Sequence, residues 1–223
     1  MAAFPLMLPG TSRPPKLVVF DLDHTLIACD ATILWTEFLY EKKIVTDPIW
    51  RQYDRDMVKS YAKGVLDIRD FCRKHAGAFR SIPEEKLHAL AQEFTKKKIA
   101  PLIFPDGKKW AKNALQANIP ACVLSASAAF IVKPIAKLFG LTDAMGIELA
   151  FKDGFCTGEI VGIPTFQEGK VERLSQRLAE AGIGFEDVLF FTDSRNDLPL
   201  AERAGYTAVS YTHLRAHETC ADL

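Results

Sequence analysis

Two carboxylates, Asp21 and Asp23, directly follow an apolar run in the segment LVVFDLDHTLIACD, residues 17–30. Side chains two positions apart on an extended segment point the same way, so this pair is expected just past the end of a strand. Neighbouring carboxylates repel unless a cation or a shared proton lies between them, which favours a hard cation such as Mg²⁺. A calcium loop is disfavoured because Leu26 stands where its sharp turn requires glycine. The alternative is a solvated strand exit without chemistry.

Two further segments place groups that can hold phosphate at a predicted strand end or helix start. ACVLSAS ends an apolar run at Ser125 and Ser127, where a hydroxyl, with following backbone amides such as that of Ala126, could hold phosphate oxygens. EGK places Lys170 after a glycine at a predicted helix start. Taken alone, the serine is as consistent with a helix cap and the lysine with a solvated surface.

A fourth segment, VLFFTDSRNDLPL, repeats the pattern of the first. Its apolar run leads into Asp193, and Asn196 and Asp197 open the next predicted helix. Acidic residues at a helix start are often only compensation for the helix dipole. The four segments together are more specific, since each one lies at a strand exit or a helix start.

Short apolar runs predict the strands that would hold these groups, at residues 17–20, 121–124, 188–191 and 207–209. Their continuous hydrophobicity indicates strands buried on both faces of a parallel sheet. Helical periodicity follows three of the runs, at residues 128–139, 170–181 and 198–204. The predicted fold is therefore α/β, a Rossmann-like three-layer core around a parallel sheet.

The stretch between the first two strands is about a hundred residues, far longer than an ordinary crossover. Its periodicity predicts four helices, at residues 31–41, 49–61, 67–75 and 84–94. A hairpin is predicted over residues 151–162, with its turn at Asp153-Gly154. The predicted organisation is a disordered segment 1–15, a core of 16–29 and 105–210, a helical cap 30–104 and a tail 211–223.

The tail, in the run SYTHLRAHETCADL, resembles the translation of a sequencing adapter rather than native protein. A genuine terminal helix is the alternative. If the tail is not native, His213 and His217 have no bearing on function.

Composition argues against several classes of partner. Lys plus Arg and Asp plus Glu are equal at 28 each, so no overall field attracts nucleic acid or an anionic membrane. The five cysteines lack the spacing of a zinc site or a disulfide framework. Without a basic leader or an apolar run of roughly 18 residues, we expect a cytoplasmic protein that acts on a small molecule. The oligomeric state is left open.

The motifs DLDHTL, LSAS, EGK and TDSRNDLP resemble the four motifs of the haloacid dehalogenase superfamily. Over residues 16–209 the chain is similar to subfamily IB, the phosphoserine phosphatase-like branch, in which a helical cap of the C1 type follows the first strand. The resemblance implies a Mg²⁺-dependent phosphatase that hydrolyses a small phosphorylated metabolite.

By that resemblance Asp21 is the nucleophile that becomes an aspartyl phosphate, and Asp23 is the general acid and base. Asp21, Asp23 through its backbone carbonyl, and Asp193 would hold Mg²⁺. Ser125 and Lys170 would stabilise charge on the phosphoryl oxygens.

The resemblance also implies contacts to phosphate from the Ala126 amide and Asn196. Asp197 would accept a hydrogen bond from metal-bound water or from Lys170.

Substrate recognition is predicted from two further positions. The family's phosphoserine phosphatases place an acid nine positions after the nucleophile to meet the substrate amine, and a cap arginine to meet its carboxylate. Asp30 and Arg73 stand in these places, although Asp30 also makes a good helix N-cap and Arg73 is equally consistent with a surface residue. Trp35 and Phe38 could line a pocket for a ring, as in a histidinol phosphate phosphatase, but their spacing favours core.

Three other functions remain open on the sequence. One is a non-catalytic phospho-aspartate switch, and another is an inactive binding protein built on the same core. The third is phosphoryl transfer between two sugars, which uses the same chemistry with a different acceptor.

Overall fold

A five-stranded parallel sheet forms the centre of the fold in a computed structural model that describes Leu8 and residues 13–209. Its strands are β1 (Leu17–Phe20), β2 (Ala121–Ala128), β3 (Asp143–Ile147), β6 (Val188–Thr192) and β7 (Tyr206–Val209). The order across the sheet is β3-β2-β1-β6-β7, and every neighbouring pair is parallel. The four strands predicted from apolar runs are confirmed, whereas β3, a short run with alanine and glycine, was not predicted.

Helices cover both faces of this sheet. The described α-helices are α1 (Ala31–Glu41), α2 (Ile49–Ala62), α3 (Ile68–His75), α4 (Glu84–Phe94), α5 (Pro105–Gln116), α6 (Ala129–Ala136), α7 (Glu168–Ala181) and α8 (Leu198–Ala201). Val18 and Phe20 of β1 join an apolar cluster with α1, α5 and α6, while Leu17 and Val19 join a second cluster with α7 and α8. Because alternate β1 residues enter separate cores, the three-layer α/β prediction is confirmed.

The helices predicted between the first two strands are α1 to α4, and α1 and α4 have the predicted bounds. α3 begins one residue late because the Asp67 carboxylate caps it, accepting from the amides of Arg69 and Asp70. A π turn, Thr95–Ile99, and a 3-10 turn, Ala100–Leu102, lead on to α5. α5 opens with Pro-Asp-Gly, a turn signal, and was not predicted as a helix.

The predicted hairpin is present as β4 (Leu149–Lys152) and β5 (Phe155–Ile160), with positive φ at Asp153 and Gly154. It lies against the helical insert, where an isolated bridge joins Pro83 to Phe155. The insert packs on the sheet layer through Trp35, whose ring centroid is 5.6 Å from that of Phe130 in α6.

Trp35 and Phe38 are buried within the core cluster, as their spacing favoured. The division into core, 16–29 and 105–210, and cap, 30–104, remains our proposal. Of the segment predicted to be disordered, 1–15, only Leu8 and residues 13–15 fall within the described part, and the tail 211–223 lies outside it. No helix among the described residues is long and apolar enough to cross a membrane.

Candidate active site

Two of the predicted acids meet because β1 and β6 are neighbours and end at the same edge of the sheet. Asp21 follows β1, and its backbone amide donates to the carbonyl of Phe191 at 2.8 Å. Asp193 follows β6. The hydroxyl of Thr25 lies 3.3 Å from Asp21 Oδ2 and 3.4 Å from Asp193 Oδ1, so one side chain reaches both carboxylates. Strand order therefore brings together groups that are far apart in the chain.

Lys170 connects two acids beneath this edge. Its Nζ donates to Asp21 Oδ1 at 2.8 Å and to Asp197 Oδ2 at 2.8 Å, and only 2% of its side chain is exposed. Burial by itself would lower the pKa of Lys170, but the carboxylates of Asp197 and Asp21 raise it above its usual value. The lysine is thus held as a cation between two acids, with Asp197 fixed in turn by the Thr192 hydroxyl at 2.7 Å.

The glycine before this lysine allows a close backbone approach at the start of α7. A Cβ at Gly169 would lie 1.9 Å from the carbonyl oxygen of Pro164, which no side chain permits. Gln167, at the N-cap of α7, has a φ of 49°, in the region that favours glycine. This close backbone approach at the start of α7 positions Lys170 so that its side chain reaches Asp21 at the end of β1.

Burial and mutual repulsion raise the pKa values of the acids at this edge. Burial raises the pKa of Asp21 to about 7, against the lowering effect of Lys170 and with further raising by Asp197 and Asp23. Burial and the charge of Asp21 raise the pKa of Asp193 to about 7. An oxygen-binding divalent cation would relieve this repulsion.

The donor set for such a cation is small. Among the described residues no group of three His, Cys, Asp or Glu side chains is arranged to hold a metal ion. This result is compatible with a metal site made of two side chains, those of Asp21 and Asp193, and the backbone carbonyl of Asp23. A magnesium ion suits such a set because it keeps several waters and uses only one or two carboxylates.

The side chain of Asp23 turns toward β2 instead of the other two acids. Its Oδ2 accepts from Ser127 Oγ at 2.9 Å and from Ser125 Oγ at 3.3 Å, and its Oδ1 accepts from the Ala31 amide at 2.7 Å. Burial and the nearby charge of Asp30 raise its pKa to about 7, against the lowering effect of the hydrogen bonds from Ala31 and Ser127. A carboxyl with a pKa near neutrality is suited to proton transfer in both directions.

A cavity of about 90 Å³ opens between the sheet edge and helices α2 and α3. It is lined by Asp21, Asp23, His24, Asp30, Thr32, Met57, Tyr61, Leu66, Ile68, Phe71, Ala126, Ser127, Asp193 and Ser194. Asp30 lies in this lining and also caps α1, accepting from the Ile33 amide at 3.0 Å, while its contact with a substrate amine stays a prediction. Five predicted residues are not in the lining. Four of them, Ser125, Lys170, Asn196 and Asp197, lie in the surrounding hydrogen-bond network, and the fifth is Arg73.

Arg73, the predicted partner of a substrate carboxylate, does not line this cavity. Its side chain is half exposed, and its Nε lies 3.1 Å from Glu159 Oε1 of β5. Gly158 of β5 approaches this face of α3 so closely that a Cβ there would lie 3.0 Å from Arg73 Cα. Arg73 thus lies on the face of α3 that meets the hairpin, whereas Ile68 and Phe71 line the cavity. A contact between Arg73 and a substrate carboxylate has no support in this arrangement.

Asn196 connects the site to the helical insert. Its Nδ2 donates to the carbonyl of Tyr61 at 3.1 Å, and its Oδ1 accepts from Gln167 Nε2 at 3.2 Å. The Tyr61 hydroxyl lies 3.0 Å from Ser194 Oγ. Ser127, which ends the same run as Ser125, donates to Asp23, whereas Tyr61 and Gln167 were missed because no pattern in the sequence distinguishes them.

Comparisons with known proteins identify the family of this chain. Residues 18–202 match the family model described as haloacid dehalogenase-like hydrolase. The chain is 34% identical over 189 residues to a histidinol-phosphatase of Neisseria meningitidis serogroup C (strain 8013), covering 83% of this chain and 85% of the relative. It is 26% identical over 193 residues to a phosphoserine phosphatase of Methanocaldococcus jannaschii, covering 86% and 84%.

A solved structure shares the fold over most of its length. It is a protein of unknown function from Bordetella pertussis Tohama I, with a TM-score of 0.79 and 31% sequence identity. The match covers 87% of this chain and 89% of the other.

Proposed function

This chain belongs to the haloacid dehalogenase-like hydrolase family, and we propose that it is a Mg²⁺-dependent phosphatase that forms an aspartyl-phosphate intermediate on Asp21. Its class, phosphomonoester hydrolase, follows from the family and from its phosphatase relatives. The observation that carries the proposal is the contact of Lys170 with both Asp21 and Asp197 at the edge where Asp193 also lies. We propose a small, amine-bearing phosphomonoester as substrate.

Asp21, the backbone carbonyl of Asp23 and Asp193 would hold the Mg²⁺. When bound, the ion would offset the repulsion between a carboxylate nucleophile and a phosphate dianion. Lys170 binds Asp21 Oδ1, which leaves Oδ2, the oxygen beside Thr25, to attack phosphorus. In this first step a bond forms between Asp21 and phosphorus while the bond to the leaving oxygen breaks.

Asp23 would serve both halves of the reaction. As a protonated acid it gives its proton to the leaving alkoxide, and the resulting carboxylate then takes a proton from the water that hydrolyses the intermediate. Its bonds to Ser127 and to the Ala31 amide fix its orientation during both transfers. Release of phosphate regenerates Asp21 as a carboxylate.

The remaining predicted residues would stabilise charge or hold others in place. We assign Ser125 and the Ala126 amide to the phosphoryl oxygens, and Lys170 to both the phosphoryl charge and the orientation of Asp21. Asp197 holds Lys170, and Asn196 would contact phosphate or hold the insert over it through Tyr61.

An amine on the substrate is supported by Asp30, whose carboxylate lines the cavity. Both named relatives act on amine-bearing phosphomonoesters, histidinol phosphate and phosphoserine. The two compounds differ in one respect that bears on this cavity, because only phosphoserine has a carboxylate.

Phosphate release from p-nitrophenyl phosphate tests the proposal. We expect turnover with Mg²⁺, loss of turnover on chelation with EDTA, and recovery when Mg²⁺ is restored. Asp21→Asn should reduce kcat by about 10⁴-fold or more, because the amide is a poor nucleophile. Asp187→Asn is the matched control, since Asp187 is also buried and paired with Lys16 at 3.0 Å, but lies at the opposite end of β6.

Each alternative gives a different result in the same assay. A phospho-aspartate switch would accumulate a long-lived phosphoprotein, and an inactive binding protein would release no phosphate. A phosphotransferase would pass phosphate to an added acceptor alcohol in preference to water. Unchanged turnover in Asp21→Asn would remove the proposed nucleophile.

A further inference from the structure

The cavity beside the catalytic acids has a composition that discriminates between amine-bearing substrates. We propose that the leaving group carries an amine and an apolar or aromatic substituent but no carboxylate. This inference rests on the proposed phosphatase function and specifies the substrate class of the same site.

The cavity is acidic at one end and apolar at the other. Asp21, Asp23 and Asp193 lie at the catalytic end, and His24 directly follows Asp23 there. The opposite wall is formed by apolar side chains of α2, α3 and the loop between them, namely Met57, Leu66, Ile68 and Phe71. The residues that line the cavity in the described part of the chain include no lysine or arginine.

Three cations of the surrounding elements, Lys170, Arg69 and Arg73, contact other groups. Lys170 is buried against Asp21 and Asp197. On α3, Arg69 Nη2 lies 3.5 Å from the carbonyl of Gly162, and Arg73 pairs with Glu159. Because no lysine or arginine is among the described lining residues, a carboxylate on the leaving group would lie beside several acids with no cation of the lining to pair with. Such an unpaired charge is strongly unfavourable.

An amine fits the same place. Asp30 lines the cavity, and its position is fixed because Oδ1 accepts from the Ile33 amide in the first turn of α1. Thr32, also in the lining, adds a hydroxyl beside it. An ammonium group here would gain a charge-assisted hydrogen bond and reduce the repulsion among the acids.

Beyond the amine, the surroundings become aromatic. A second cavity of about 20 Å³ shares Thr32, Phe71 and Ala126 with the first and is otherwise lined mainly by apolar side chains. Trp35 and Phe130 are among them. The first cavity has a volume of about 90 Å³, and the substituent on the leaving group would extend from it toward this aromatic wall.

Matched substrates test each part of the proposal. Phosphoserine and phosphoethanolamine differ only in the carboxylate, and we expect kcat/KM to be at least about 30-fold higher for phosphoethanolamine, which corresponds to about 2 kcal/mol. 2-Amino-3-phenylpropyl phosphate, which adds an apolar ring, should exceed phosphoethanolamine. 3-Phenylpropyl phosphate, which lacks the amine, should fall below its amine-bearing counterpart.

Equal or faster hydrolysis of phosphoserine would overturn the inference while leaving the phosphatase proposal intact. A lower kcat/KM for 2-amino-3-phenylpropyl phosphate than for phosphoethanolamine, or than for 3-phenylpropyl phosphate, would also overturn the inference. If none of the compounds is hydrolysed, p-nitrophenyl phosphate included, the phosphatase proposal fails and this inference fails with it.

Variants of the wall give a second test. Ile68→Arg or Leu66→Arg places a cation in the apolar wall and should raise kcat/KM for phosphoserine relative to phosphoethanolamine, whereas Ile68→Met, the matched control, should not. Arg73→Ala should leave that ratio unchanged, because Arg73 pairs with Glu159. A selective loss of phosphoserine hydrolysis in Arg73→Ala would show that Arg73 serves the cavity and would overturn the inference.

Discussion

A buried base has opposite pKa shifts at the sheet edge and inside the helical insert. At the edge, Lys170 is held between Asp21 and Asp197, and its pKa is raised, so a buried charge is kept. In the insert, burial lowers the pKa of His75 to about 4 and raises that of Asp54 to about 7, so both residues tend to be neutral. The difference lies in the partners of the base, since burial raises the pKa values of Asp21, Asp23 and Asp193 at the edge to about 7 just as it does that of Asp54.

The insert also leaves buried polar atoms with fewer partners. Within the described residues Trp35 Nε1 and both carboxylate oxygens of Asp54 have no hydrogen bond of normal geometry. Thr36 lies close enough to lower the pKa of Asp54 somewhat, but its hydroxyl pairs with His75 Nε2 at 2.9 Å. Apolar packing of the helices therefore holds the insert, and its polar groups contribute little.

The largest effect should come from breaking the network at the edge. Lys170→Met leaves the carboxylates of Asp21 and Asp197 buried without their cation. We expect the free energy of unfolding to fall by about 3–5 kcal/mol and kcat to fall by about 10³-fold or more. Urea unfolding in EDTA and turnover in Mg²⁺ measure the two effects.

Lys133→Met is the matched control for this change, because Lys133 pairs with Glu148 at 2.7 Å but its side chain is half exposed. It should change neither quantity appreciably. Equal losses in both variants would mean that burial of the pair is not what matters.

The second largest effect should come from the packing of the insert. Trp35→Ala removes a fully buried ring that contacts Phe38, Phe94 and Phe130, and should reduce the free energy of unfolding by about 3–5 kcal/mol. Trp35→Phe should lose less than half as much, because no hydrogen bond of Nε1 is lost. Similar losses in both variants would show that Nε1 has a partner that matters.

A smaller, pH-dependent effect should appear at the buried pair of the insert, where His75 Nε2 lies 3.6 Å from Asp54 Oδ1. The lowered pKa of His75 gives stability that is lost as pH falls from 6.5 toward about 4. The raised pKa of Asp54 gives stability that is lost as pH rises from 3.8 toward about 7. Between pH 4 and 6.5 these slopes oppose each other in the unmodified protein.

Single substitutions should separate the two slopes. Relative to the unmodified protein, Asp54→Asn should lose about 1–2 kcal/mol of stability as pH falls from 6.5 to 4.5, and His75→Gln should gain a similar amount. Urea unfolding at several pH values measures both. Slopes of the same sign in the two variants would contradict this account of the pair.

The smallest effect should come from the surface of the insert. Arg51 makes two bonds of 2.7 Å to Glu37, but both side chains are exposed. Arg51→Ala should leave the free energy of unfolding unchanged within error, because solvent screens such pairs. A loss approaching that of Trp35→Ala would show that surface charge, and not apolar packing, holds the insert.

Local patterns in the sequence were sufficient for most elements and failed in identifiable places. Helices α1 and α4 were predicted to the residue because apolar periodicity and chain direction are local properties. α5 was missed because it begins with Pro-Asp-Gly, and β3 because its Ala and Gly residues lack the bulk of a typical strand. Arg73 was placed in the site by motif spacing alone, which does not reveal that its face of α3 meets β5.

By itself, the sequence determined the identity and order of the acids, the lysine and the apolar runs that precede them, because those follow from covalent order and local periodicity. Only the tertiary structure decided which of them meet. The order β3-β2-β1-β6-β7 places Asp193 beside Asp21 and lets Lys170 reach both Asp21 and Asp197. The tertiary structure also pairs Arg73 with Glu159 outside the cavity and forms the cavity wall from α2 and α3. Such long-range contacts depend on how whole elements pack and not on the spacing within any one of them.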